Sequence, residues 1–104
     1  MREKHPTEAS VRVGVKRYLK RLRTEGKSVE WMSIHGDEFT IGEPDIIGCF
    51  WGTMFCIELK APGNTSTKLQ LARQAAWRKA GAIVMSDVTD WHQVAEKLGE
   101  DGLI

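Results

Sequence analysis

The chain has 104 residues, of which 15 are basic and 14 acidic, for a formal net charge of +1. That length points to one domain over residues 1–104, and the charge balance gives no global case for a polyanion partner. No apolar stretch approaches the ~20 residues that cross a bilayer. The opening MREKHPTEAS also lacks an apolar signal core, so a cytoplasmic protein without membrane contact is expected.

Thr7, an N-cap type following Pro6, opens an amphipathic helix that runs to Gly26, with Val11, Val15, Leu19 and Leu22 at three- and four-residue intervals. Glu8 falls in its first turn, where the helix dipole favours an acid whatever its chemistry. Between residues 12 and 23 lie Arg12, Lys16, Arg17, Lys20, Arg21 and Arg23, with no acidic residue among them. Such a run is either a solvated helix face or a track for a phosphate backbone. SVEWMSIHG reads as a strand with Val29, Trp31 and Ser33 on one face and Met32 and Ile34 on the other, and DEFTIGEP has turn character.

Asp45 to Phe50 and Met54 to Lys60 form a hairpin around Trp51-Gly52-Thr53. APGNTST breaks the pattern, and Lys68 to Ala80 is a second helix, ended by Gly81. Its start, Thr67-Lys68-Leu69-Gln70, fits the S/T-x-x-E/Q capping box. AIVMSDV is a short strand, and WHQVAEKLG is a last helix capped by Thr89 or Asp90 and stopped by Gly99. The predicted order is αβββαβα, an α/β fold with a small mixed sheet. The last strand runs parallel to the second hairpin strand across the intervening helix.

Cys49 and Cys56 are too few for a disulfide framework, lack zinc-site spacing, and read as buried thiols. His5, His35 and His92 show no ligand spacing. Of Trp31, Trp51, Trp77 and Trp91, three suit a core or an interface, whereas Trp51 at a hairpin tip suggests a partner surface.

The hairpin carries the chemistry. Side chains alternate along a strand, so Glu58 and Lys60 share one face. A two-residue loop at Trp51-Gly52 puts Asp45 opposite Glu58, and a four-residue loop puts it opposite Lys60. Both place Asp45 on the face of Glu58 and Lys60, with the charged groups roughly 5 to 7 Å apart, whereas a three- or five-residue loop without a bulge would put Asp45 on the other face. Ile46, Gly48, Phe55, Ile57 and Leu59 take the other face. Two close carboxylates repel unless a cation lies between them. Mg²⁺ or Mn²⁺ prefers such oxygens, and a neighbouring lysine can act on water or on phosphorane charge. The bland alternative is an Asp–Lys–Glu salt-bridge cluster at a sheet edge.

Gly42-Glu43-Pro44-Asp45 followed by Glu58-Leu59-Lys60 resembles the PD-(D/E)xK nuclease core. With Glu8 early in the first helix and Gln70 ten residues before Ala80-Gly81, the chain more specifically resembles the VRR-NUC group. The resemblance implies a restriction-endonuclease-like fold and hydrolysis of DNA phosphodiester bonds. It implies that Asp45, Glu58, the Leu59 backbone carbonyl and Glu8 hold Mg²⁺ or Mn²⁺. Lys60 would act on the attacking water or the scissile phosphate, and Gln70 would position metal, water or Lys60; Gln74, one turn later, could take that part instead. The family's substrates imply branched DNA, such as four-way junctions or flaps, and a homodimer. Arg12, Lys16, Arg17, Lys20 and Arg21 would contact the DNA. Ile41 departs from the pattern, since many relatives carry a basic residue there. Two other functions fit the same residues: a non-catalytic DNA-binding module and a sequence-specific restriction-type nuclease.

Overall fold

Local chemistry bounds every helix. The computed structural model describes residues 6–34 and 40–104, so His5, His35 and the turn around Gly36-Asp37 lie outside the described residues. Helix α1 (Glu8–Thr24) begins at Thr7, whose hydroxyl accepts from the Ser10 N–H while Ser10 accepts from the Thr7 N–H. The same reciprocal cap starts α2 (Lys68–Lys79) with Thr67 and Gln70, and α3 (Trp91–Glu100) with Asp90 and Gln93. All three close alike: the residue after a positive-φ glycine donates back to the helix, Lys27 to Leu22, Ala82 to Trp77 and Leu103 to Leu98. The last helix therefore does not stop at Gly99. It runs to Glu100 because Gly102 and the core-facing Leu103 complete the closure.

Four strands follow between and beside the helices: β1 (Val29–Ser33), β2 (Ile46–Phe50), β3 (Thr53–Leu59) and β4 (Ile83–Val88). They form one mixed sheet in the order β1-β2-β3-β4, antiparallel except for the parallel β3–β4 pair joined through α2. The hairpin turn is Trp51-Gly52, with φ of 47° and 83°. Positive φ at both positions marks the type I′ turn, whose twist matches the flanking strands. Phe50 pairs with Thr53 and Ile46 with Ile57, so the two-residue register is the one adopted, and Thr53 belongs to β3 rather than to the connection.

Alternation then sorts the faces. Val29, Ile46, Phe50, Phe55, Ile57 and Leu59 pack with Val11, Val15, Leu19 and Leu22 of α1 and Val94 and Leu98 of α3. Gly48 opposite Phe55 belongs to this face, and a Cβ there would stand 2.4 Å from the Phe55 ring. Among the described residues, the apolar side chains buried on the other face are Cys56, Ala82 and Val84, with Ile47, Met54 and Trp77 against them, and Glu58 and Gln74 are the polar ones. There α2 covers the β3–β4 side of the sheet, while Met32 and Cys49 toward β1 are exposed. Cys49 is thus not the buried thiol expected from sequence. Cys56 is, and burial, helped by the charge of Glu43, pushes its pKa up to about 11.

Trp77 and Trp91 do pack inside the fold, Trp91 stacked on Tyr18 at 4.9 Å, whereas Trp51 is exposed at the hairpin tip. Among the described residues no helix is long and apolar enough to cross a membrane.

Candidate active site

Asp45 and Glu58 meet at the end of the hairpin away from its turn. The pairing of Ile46 with Ile57 sets them opposite each other, and the Asp45 N–H donates to the Ile57 carbonyl at 3.0 Å. The turn before Asp45 is braced from α2. Gly42 has a φ of +83°, and a Cβ there would lie 2.5 Å from Leu69 Cγ, so only glycine fits without strain. Next to it, Glu43 accepts from Arg73 Nε through one oxygen and from Trp77 Nε1 at 3.2 Å through the other. On the far side of Glu58 the β3–β4 register slips, from Ile57 opposite Met85 to Leu59 opposite Val88. The extra residue sits beside Glu58, with Asp87 at a φ of 51° and its carboxylate accepting from Ser66 Oγ at 2.6 Å. Bulges of this kind bend a strand locally and re-aim its side chains.

Glu58 is 2% exposed. Its Oε1 accepts from Gln70 Nε2 at 2.9 Å and lies 3.6 Å from Lys60 Nζ. Its Oε2 is buried and has no hydrogen-bond partner. Burial pushes the Glu58 pKa up to about 8, and the Asp45 charge pushes the same way, while Lys60 opposes both. A buried carboxylate oxygen without a donor is costly. Two things can relieve it: a proton shared with Asp45, or a cation between the two carboxylates.

Gln70 links this pair to the helix. Its Oε1 accepts from Lys60 Nζ at 2.9 Å and from the Thr67 N–H at 2.8 Å, while its amide nitrogen serves Glu58. The helix cap and the site ligand, which read as alternatives in the sequence, are one side chain doing both. Gln74 goes elsewhere. It is buried between Ser66 and Ser86, donating to the first at 3.1 Å and accepting from the second at 2.6 Å.

Asp45 is held on both oxygens. Oδ2 accepts from the Leu59 N–H at 2.8 Å, and Oδ1 faces Arg12 Nη2 at 3.4 Å. Glu8, expected to complete the acidic set, does not join it. It is exposed in the first turn of α1, and no cluster of three acidic, His or Cys side chains forms among the described residues. Arg12, one turn further along, is the α1 side chain that reaches Asp45. Sequence gave no sign of that contact, nor of the Glu43 brace, because both join residues about thirty positions apart.

The basic run also divides. Arg12 and Lys16 line an opening of about 500 Å³ next to Asp45, together with Trp31 and Ser33. Lys20 is roughly 80° round the helix from Arg12, whereas Arg17 and Arg21 are roughly 140° and 180° away. Those two flank Tyr18 and Trp91, with Arg21 also 3.7 Å from Glu25. Of the five basic residues expected to contact DNA, Arg12 and Lys16 border the opening beside Asp45, and Arg17 and Arg21 lie by Tyr18 and Trp91. No family model matches the chain, and comparison with curated proteins finds no significant match.

Proposed function

We propose that this chain is a Mg²⁺- or Mn²⁺-dependent endonuclease of the PD-(D/E)xK kind, close to the VRR-NUC group, hydrolysing phosphodiester bonds in DNA. The observation that carries the reading is the orphaned Glu58 Oε2, buried beside Asp45 with Lys60 tied to the same network. A plain salt-bridge cluster would satisfy that oxygen with a donor. A hard cation accepts just such a pair of carboxylate oxygens, so the donor set fits Mg²⁺ or Mn²⁺.

Asp45 and Glu58 would hold the cation, with the carbonyl of Leu59, the residue after Glu58, as a further oxygen. Bound there, it supplies positive charge to phosphate oxygens and a nucleophilic water near neutral pH. The protein's own part is orientation. Gln70 holds Lys60 beside Glu58, where its ammonium can offset charge that develops on the phosphate during attack. The Glu43 brace and Gly42 fix the turn, so the Asp45 carboxylate keeps its place. Branched DNA as substrate and a homodimeric state remain part of the proposal. The uncovered sheet face around Met32, and β1 as an edge strand, supply surface that a second copy would shield.

The test is incubation of the purified protein with a four-way junction, a flap and plain duplex, with Mg²⁺ or Mn²⁺ and with EDTA. Metal-dependent cleavage that Lys60→Ala reduces by 10²-fold or more is expected. Cutting in EDTA would refute the metal mechanism. Binding of DNA without any cutting would favour the non-catalytic module, and a monomer mass by light scattering would refute the dimer.

A further inference from the structure

Asp45 stands between two chambers of opposite character. On one side are Glu58, Lys60 and Gln70. On the other is the 500 Å³ opening walled by Arg12, Lys16, Trp31 and Ser33, a size in the range of small-ligand sites and sufficient for one nucleotide. The two sides share Asp45. Its Oδ2 is fixed by the Leu59 N–H, which leaves Oδ1 toward Arg12 at 3.4 Å, in an ion pair still partly open to solvent. Lys16 has no ion-pair partner among the described residues, and the Ser33 hydroxyl is buried with no hydrogen-bond partner. The opening therefore holds two donors without acceptors, Lys16 and Ser33, and a third, Arg12, whose acceptor is the Asp45 carboxylate at its edge; with Asp45 neutralised, these donors have the chemistry of a phosphate subsite.

The geometry points to an exchange of counterions at Asp45. Without a divalent cation, Arg12 neutralises Asp45 and its guanidinium is not free for DNA. When a cation takes over that neutralisation, Arg12 is released to a backbone phosphate seated in the opening with Lys16 and Ser33. Arg12 thus couples cation binding to phosphate binding, and the coupling is reciprocal. This inference rests on the proposal that Asp45 and Glu58 bind a divalent cation.

The experiment uses Ca²⁺, which shares the oxygen preference of Mg²⁺ and Mn²⁺, with the full chain. Calorimetry measures Ca²⁺ affinity, and fluorescence anisotropy measures affinity for a labelled oligonucleotide with and without Ca²⁺. Wild type should bind the oligonucleotide more tightly in Ca²⁺ than in EDTA. Arg12→Gln should bind Ca²⁺ about three- to fivefold more tightly than wild type, since a partly exposed ion pair no longer competes. It should also lose most of the Ca²⁺-dependent gain in DNA affinity. Arg12→Lys should recover part of both effects. Lys16→Gln should weaken oligonucleotide binding but leave Ca²⁺ affinity within about twofold, because Lys16 is not paired with Asp45.

If Arg12→Gln leaves Ca²⁺ affinity and the coupling as in wild type, the exchange is refuted while the metal site stands. If Asp45→Asn binds Ca²⁺ as wild type does, the metal site itself fails and the exchange with it.

Discussion

Replacing Glu58 by glutamine should stabilise the metal-free protein at alkaline pH. The side chain is 2% exposed, its Oε2 has no partner, and its pKa stands at about 8 against an ordinary value of 4.5. A carboxyl whose folded pKa lies above its unfolded one favours the fold fully below pH ~4.5. It loses that contribution as pH rises through ~8, because the folded state holds a proton that the unfolded chain has already released. At about 1.4 kcal/mol per unit the gap is on the order of 5 kcal/mol, a large part of a small domain's stability. The value near 8 already carries the opposing pull of Lys60, so a loss of about 4 kcal/mol between pH 5 and pH 9 is expected for wild type in EDTA. Glutamine carries no proton to lose, and its amide can donate toward Asp45.

Urea denaturation followed by tryptophan fluorescence at a series of pH values measures this directly. The Glu58→Gln curve should fall by less than about 1 kcal/mol over the same range. Mn²⁺ should restore wild type at pH 8 to 9, where the cation replaces the proton, and should leave the variant unmoved. Parallel pH profiles for the two proteins would refute the argument, since they would mean that Glu58 is comfortably ionised in the fold.

Gln70 allows its two roles to be separated. Gln70→Ala removes the cap and the Lys60 contact together, so a loss of about 1 kcal/mol in urea stability should accompany a fall in kcat. Gln70→Glu keeps a capping side chain at the same position but replaces the amide donor to Glu58 by a third carboxylate, so the pH profile of cleavage should move to higher pH and stability should fall by about 1–3 kcal/mol as pH rises. Gly42→Ala forces a Cβ to within 2.5 Å of Leu69 Cγ at a φ of +83°. It should cost about 1–2 kcal/mol and slow cleavage by displacing Asp45, with far-UV circular dichroism unchanged.

Much of this arrangement was legible in the sequence because it depends on short-range rules. Alternation put Asp45, Glu58 and Lys60 on one face, and the capping box marked Gln70. What the sequence left open was the loop length, settled by Trp51 adopting a left-handed conformation that its side chain does not favour. Helix α3 passes through Gly99, the expected stop, because a glycine inside a helix costs only about 1 kcal/mol and the closure through Leu103 depends on core packing. The division of the basic run is legible in the sequence, since 100° per residue separates Arg12 from Arg17 and Arg21. The partners of Arg12, Glu43 and Gln74 were not legible at all. Each is chosen by tertiary proximity, and nothing in the spacing of Ser66, Gln74 and Ser86 announces that they will meet.

The two helices that touch the site act on it in different ways. From α2, three successive turns reach it: Leu69 and Gln70 in the first, Arg73 in the second and Trp77 in the third. Leu69, Arg73 and Trp77 hold the turn before Asp45, and Gln70 holds Glu58 and Lys60, so one rigid helix sets the spacing between the two hairpin strands where the carboxylates meet. A slip of one residue would rotate these side chains by about 100° and break every one of the contacts. Helix α1 contributes a single long side chain to the same carboxylates, at 3.4 Å and partly open to water. A contact that weak cannot fix geometry, but it can be exchanged at little cost. The carboxylate pair is therefore kept in place by the helix that contacts it through three turns and, without a cation, neutralised by the one partly exposed side chain of α1.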